Sequence, residues 1–140
     1  VAIEAAELAA TRGHWVAGGD VGRRILWART LADPTNVERS LDDIYRLVGT
    51  SLATQESVPA AFALLALFPG DPWAAVCAAA TLGGDSDTIG AIAGAIGGAV
   101  HGSWPTDAVE TVLAANDLDL LPVVYGLLEL RAPGPAVMPA

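Results

Sequence analysis

The 140-residue sequence contains no lysine; its seven basic residues are all arginines, scattered along a chain with sixteen acidic side chains and a formal net charge of −9. Extended contact with a phosphate backbone needs clustered cations, so nucleic acid is excluded as a partner class. One cysteine, Cys77, rules out an internal disulfide and fits a reducing compartment. No apolar run approaches the roughly 20 residues that cross a bilayer. The longest uncharged run, between Asp87 and Asp107, is interrupted by Gly90, Gly94, Gly97, Gly98, Gly102, Ser103 and Pro105, and its apolar part, 89–100, reads as a buried helix. A charged leader with an apolar stretch and a cleavage site is also missing from the start, so the expected location is cytoplasmic, with no membrane partner. Residue one is valine and the one methionine is Met138, which suits a processed product, a fragment or a non-standard start.

What is present is apolar: 53% of residues are hydrophobic and 16% charged, which is too apolar for a disordered tail and suits one compact body. Helical-period segments alternate with short Gly, Pro, Asp or Asn punctuation, and no β-alternation or internal repeat stands out. The expected class is therefore all-α. Helices are expected over 1–10, over 20–31 with Arg23, Arg24 and Arg29 on the wet side, and over 37–48, with Leu41, Ile44, Tyr45 and Val48 facing inward and Gly49 closing the helix. Ser57 as N-cap and Pro59 in the first turn predict a buried helix running to Phe68. Pro72 opens another, reaching Leu82, and two further helices follow Pro105 and Asn116. The body is expected over 1–131, followed by a loosely held Pro/Gly-rich tail over 132–140.

Within this pattern the helix ending near Gly102 carries glycine at 90, 94, 98 and 102. Each interior glycine costs about 1 kcal/mol relative to alanine, so the stripe predicts close approach of another helix. At the start of that helix stands Gly83-Gly84-Asp85-Ser86-Asp87-Thr88, the sharpest local feature of the chain. A hard divalent cation takes oxygen ligands, and carboxylates two residues apart converge only where the backbone turns. Asp85 and Asp87 suit that role, with the Thr88 hydroxyl on the same side. Two other readings use the same residues. Aspartate is a favoured N-cap stabilised by the helix dipole, and an aspartyl-phosphate phosphatase also uses a D-x-D pattern, although its nucleophile normally follows a buried β-strand and 74–80 is Ala-rich.

The wider sequence resembles ADP-ribosylglycohydrolases, and in particular their C-terminal half. The resemblance is carried by Thr54-Gln55-Glu56-Ser57-Val58-Pro59-Ala60-Ala61, by Pro69-Gly70-Asp71-Pro72-Trp73, and by the Gly83–Thr88 block with its Gly/Ala helix. It extends upstream through Trp15-Val16-Ala17-Gly18-Gly19-Asp20-Val21 and downstream through Gly97-Gly98-Ala99-Val100-His101-Gly102. The resemblance implies an all-α hydrolase that holds two divalent cations, magnesium or manganese. Such an enzyme cleaves ADP-ribosyl glycosidic bonds at the ribose C1″ carbon, in an ADP-ribosylated protein or an ADP-ribosyl small molecule. Asp85, Asp87 and Thr88 would be metal ligands, with Asp87 between the ions, and Gly83, Gly84 and Ser86 would lie near sugar or phosphate.

One departure is large: the family's Thr-Asp-Asp triplet and its early Gly-Asp segment have no counterpart here. Asp42-Asp43 is the only adjacent carboxylate pair, and it sits on an amphipathic helix as a solvated face. Three side chains cannot close two six-coordinate sites, so the 140 residues alone are expected to bind metal weakly and catalyse poorly, unless a complementary N-terminal segment or second chain completes the site. A catalytically inactive helical module for binding or oligomerisation is the alternative. His101 reads as a helix-end dipole partner, His14 as surface, Glu56 equally as an acid or as capping chemistry, the four tryptophans as core or subunit contacts, and Cys77 as a buried small hydrophobe.

Overall fold

The computed structural model describes residues 1–14 and 17–131. Trp15 and Val16 of the upstream motif, and the expected tail over 132–140, lie outside the described residues. The protein is all-α: among the described residues there are eight α-helices, a π-helical segment and no strand. The chain divides into two compact units, Val1–Ser103 and a second beginning at Trp104.

In the first unit the core is built around α4 (Thr54–Leu67), whose Ala60, Ala61, Ala63, Leu64 and Leu67 are buried. Against it pack α2 (Val21–Arg29), α6 (Ser86–His101) and α5 (Pro72–Leu82). Ala28, Ala75, Ala78, Ala79 and Ala93 fill most of the remaining core positions, with Ile44, Val48 and Ile89 as larger plugs. Alanine at so many contacts brings helix backbones close together. Each large plug contributes on the order of 1.5–3 kcal/mol by leaving water.

The start of α4 differs from the sequence expectation. Ala53, not Ser57, is the N-cap, so the helix begins a turn earlier, and the Ser57 hydroxyl donates back to the Ala53 carbonyl at 3.3 Å. Pro59 therefore lies inside the helix, where its missing N–H leaves the Gln55 carbonyl without its helical donor. Arg24 supplies the replacement. Its Nε donates to the Gln55 carbonyl at 2.5 Å and its second guanidinium nitrogen to the Val48 carbonyl at 2.7 Å. Arg24 is thus half-buried, away from the wet face assigned to it, with its guanidinium 5.5 Å from the centre of the Trp27 ring.

The expected single helix over 37–48 is two segments, α3 (Val37–Asp43) running into a π-helix at Ile44–Val48. The wider turn admits an extra residue, seen in the bond from the Gly49 amide to the Ile44 carbonyl at 3.1 Å. Ile44 and Val48 face the core, while Tyr45 is turned out and 52% exposed, against the expectation that it faces inward. Asp42 and Asp43 occupy the expected wet face, paired with Arg46 and Arg39 respectively.

Helices α5 and α6 meet along glycine at Gly90 and Gly94, as the stripe predicts, and most tightly at Gly97, which lies outside it. A Cβ on Gly90 would lie 3.7 Å from Ala79 Cβ, one on Gly94 would lie 3.5 Å from Val76 Cγ2, and one on Gly97 would collide with Pro72 Cβ. Gly102 faces open space as the left-handed cap. The reason is helical phase. At roughly 100° per residue, seven residues return almost to the starting face, whereas each step of four drifts by about 40°. Gly97 therefore lies closest to the face of Gly90.

In the second unit α7 (Thr106–Ala115) and α8 (Leu121–Glu129) contain no buried residue. Two further expectations are corrected. Cys77 is exposed, on the outer side of α5. Trp27 and Trp73 are also exposed, so of the expected core or subunit-contact roles neither fills the first.

Candidate functional site

The turn between α5 and α6 is built by two glycines with positive φ, Gly83 at 81° and Gly84 at 72°. Side chains rarely adopt this conformation. At Gly84 space forbids one as well, because a Cβ would run into the carbonyl and hydroxyl oxygens of the buried Thr50. That close approach lets the Asp85 amide donate to the Thr50 carbonyl at 2.7 Å.

Asp85 occupies the N-cap position of α6, yet its carboxylate caps no backbone amide. Its Oδ1 accepts the Thr88 hydroxyl instead, at 3.0 Å. Other cap residues behave as capping chemistry predicts: Asp20 accepts the Arg23 amide at 2.7 Å, Asp71 the Ala74 amide at 3.0 Å and Asn36 the Arg39 amide at 3.4 Å. Among these four, Asp85 alone departs from the pattern. Capping does not account for its side chain. Asp85 and Ser86 are half-buried, and Asp87 and Thr88 are exposed one turn into the same helix start.

The other side of the turn is the segment after the π-helix. Here the Ser51 amide donates to Glu56 Oε2 at 3.0 Å. Bonds from Ser51 chiefly, with a smaller contribution from the Arg24 charge, hold the Glu56 carboxyl below its usual range. Glu56, in the first turn of α4, thereby ties the loop ahead of that helix to its start. Gly49, with φ of 86°, is the counterpart of Gly84, since a Cβ there would strike the Glu56 carboxylate. The Tyr45 ring edge stands 4.0 Å from where a Cβ on Gly83 would be, which places an exposed aromatic beside the turn.

Chemically, the turn offers two carboxylates and a hydroxyl, all oxygen, as a hard cation requires. The set is incomplete: among the described residues no three His, Cys, Asp or Glu side chains gather where they could hold a metal ion. Two concavities of the first unit lie elsewhere. A groove of about 710 Å³ runs beside α1 (Ala2–Ala10), His14, Asp20 and Gln55. Another, of about 290 Å³, lies at the far end of α6 between Arg29, Phe62, Phe68 and His101. Neither is lined by Asp85, Asp87 or Thr88. His101 is exposed in the last turn of α6 and His14 is exposed, both as expected, and no helix is long and apolar enough to cross a membrane. Sequence reasoning missed Thr50, whose one signal was a hydroxyl-rich segment, and Tyr45, which periodicity placed on the core face.

Comparison with known proteins returns the ADP-ribosylglycohydrolase family over residues 1–132. Over 102 residues the chain is 42% identical to the uncharacterized protein YegU of Escherichia coli (strain K12), a stretch covering 71% of this chain and 30% of that relative. The chain thus spans less than a third of the relative's length. No solved structure matches it.

Proposed function

Because the chain belongs to the ADP-ribosylglycohydrolase family, we propose that it is the C-terminal part of a metal-dependent hydrolase that cleaves ADP-ribosyl glycosidic bonds. The observation that carries this reading is the Asp85 carboxylate, which stands at a helix start, passes over the amides it could cap, and turns to Thr88. The 3.0 Å between Asp85 Oδ1 and Thr88 Oγ1 also suits two adjacent ligands of one ion, since metal–oxygen distances of 2.0–2.1 Å put neighbouring octahedral ligands about 3.0 Å apart. Asp85, Asp87 and Thr88 would hold magnesium or manganese. When bound, two such ions supply Lewis-acid polarisation of the ribose hydroxyls or of a water at the C1″ carbon. Gly83 and Gly84, exposed and lacking side chains, leave room for sugar or phosphate beside Ser86. The substrate class is an ADP-ribosylated protein or an ADP-ribosyl small molecule. In cleavage, water adds its oxygen to C1″ and the acceptor leaves with a proton.

Three side chains do not complete two six-coordinate sites. The remaining ligands, and the other wall of the cleft, come from a preceding segment or a second chain. The test is calorimetric titration of Mn²⁺ and Mg²⁺ into the chain and into Asp85→Ala and Asp87→Ala, together with ADP-ribose release from a modified protein. Binding lost in both variants supports the ligand assignment, and equal binding in all three removes it.

One observation favours a second reading, an inactive helical module used for binding. The α8 side chains Leu121, Val123, Tyr125, Leu127 and Leu128 are all more than half exposed, an apolar surface of the kind that marks interfaces. Metal binding that leaves hydrolysis absent, even with the complementary segment supplied, would favour that module.

A further inference from the structure

We propose that Glu56 is a positioning residue for Asp85, acting through the single peptide group that joins Thr50 to Ser51. The two faces of that peptide are used by different partners. Its carbonyl accepts the Asp85 amide at 2.7 Å, and its N–H donates to Glu56 Oε2 at 3.0 Å. Asp85 and Glu56 are therefore coupled across one rigid, polarisable plane. A carboxylate on the N–H side polarises the peptide and strengthens the carbonyl as an acceptor for Asp85.

Local construction points the same way. Gly84 and Gly49, both with positive φ, flank the peptide, and each stands where a Cβ would strike Thr50 or the Glu56 carboxylate respectively. The approach is close on both sides. Thr50 is buried, and the preceding Val48 carbonyl is fixed by Arg24, which also fixes Gln55 next to Glu56. The carboxylate thus has a held base and a held target. Glu56 does not gather with the aspartates as a third metal-holding carboxylate, so its effect on Asp85 runs through the backbone.

The inference rests on the metal reading for only one of its two readouts. The first is hydrogen exchange at the Asp85 amide, measured in the full chain without metal. In Glu56→Ala that amide is expected to exchange about tenfold faster or more, the scale of losing a charge-assisted hydrogen bond, while amides inside α4 and α6 keep their protection. Glu56→Gln keeps an acceptor oxygen for Ser51 and is expected to remain within about threefold of wild type. The second readout is Mn²⁺ affinity by calorimetry, expected to fall about tenfold in Glu56→Ala and to be largely rescued in Glu56→Gln. If Glu56→Ala does not fold, Glu56→Asp, whose shorter side chain withdraws the carboxylate, gives the same contrast.

An unchanged Asp85 exchange rate, or an equal acceleration at every amide, overturns the positioning role. If wild type and Asp85→Ala bind Mn²⁺ alike, the metal reading fails, and the exchange measurement still decides the part played by Glu56.

Discussion

Replacing Gly97 with alanine tests how α6 is seated. In isolation the change favours a helix by about 1 kcal/mol, because alanine loses less backbone entropy than glycine. Here the new Cβ collides with Pro72 Cβ and lies 3.5 Å from both Pro72 Cα and Cγ. Pro72 is buried in the first turn of α5, and its closed ring cannot swing aside, so backbone must move. Overpacking of this kind costs about 1–3 kcal/mol, and a collision with a ring atom next to backbone belongs at or above the upper end. The net expectation is a loss of about 2 kcal/mol, a fall in melting temperature of roughly 8–16 °C for a domain of this size. Gly94→Ala is the control. Its Cβ would meet Val76 Cγ2 at an ordinary 3.5 Å, so the propensity gain survives and the melting temperature rises by roughly 3–6 °C. Both are read from thermal melts followed by far-UV circular dichroism. A Gly97→Ala protein that melts at or above wild type, or a Gly94→Ala protein that falls equally far, would refute the seating of α6 on α5 through Gly97.

Arg24→Ala removes the donors to the Gln55 and Val48 carbonyls, and urea unfolding is expected to show a loss of about 2–4 kcal/mol. Arg24→Lys, which cannot fork to both carbonyls, should recover less than half of it. Glu56 has a lower pKa folded than its ordinary value of 4.5, so it adds stability above that value and loses it as pH falls through the depressed folded value. The stability gap between wild type and Glu56→Gln should accordingly hold constant well above pH 4.5 and narrow as the pH falls below it; a gap that ignores acid contradicts the assignment. Cys77, being exposed, should react with a thiol reagent in the folded protein within about threefold of its rate in urea, since access limits such reactions.

Features whose physics is local were legible in the sequence. The helix beginning near Asp20 and the one opened by Pro72 start where expected, because a cap bond such as that of Asp20 or Asp71 spans only three residues and a proline ring suits a first turn. The start of α4 was not legible. Read locally, Pro59 marks a helix beginning; its place inside the helix depends on Arg24, 31 positions from the Gln55 carbonyl it satisfies. The π-turn was hidden for a related reason. Ile44 and Val48 suit an inward face on either helix type, and only Tyr45, turned outward, tells them apart. The glycine spacing announced a close contact, but helical phase, and not the arithmetic of fours, selected Gly97.

The candidate site divides along the same line. Its residue types could be read from Gly83 to Thr88, while the orientation of Asp85 depends on Thr50, far away in sequence. Asp20 caps with an extended backbone, ψ of 123°, whereas Asp85 sits at ψ of 52° with its amide drawn to the Thr50 carbonyl. Leaving a helix start uncapped forgoes about 1 kcal/mol, and glycines inside α6 forgo more. A helix that gives up both is held by packing on α4 and α5, not by its own propensity. Its first turn is thereby released from capping duty, and the direction of the Asp85 carboxylate is set by the tertiary fold.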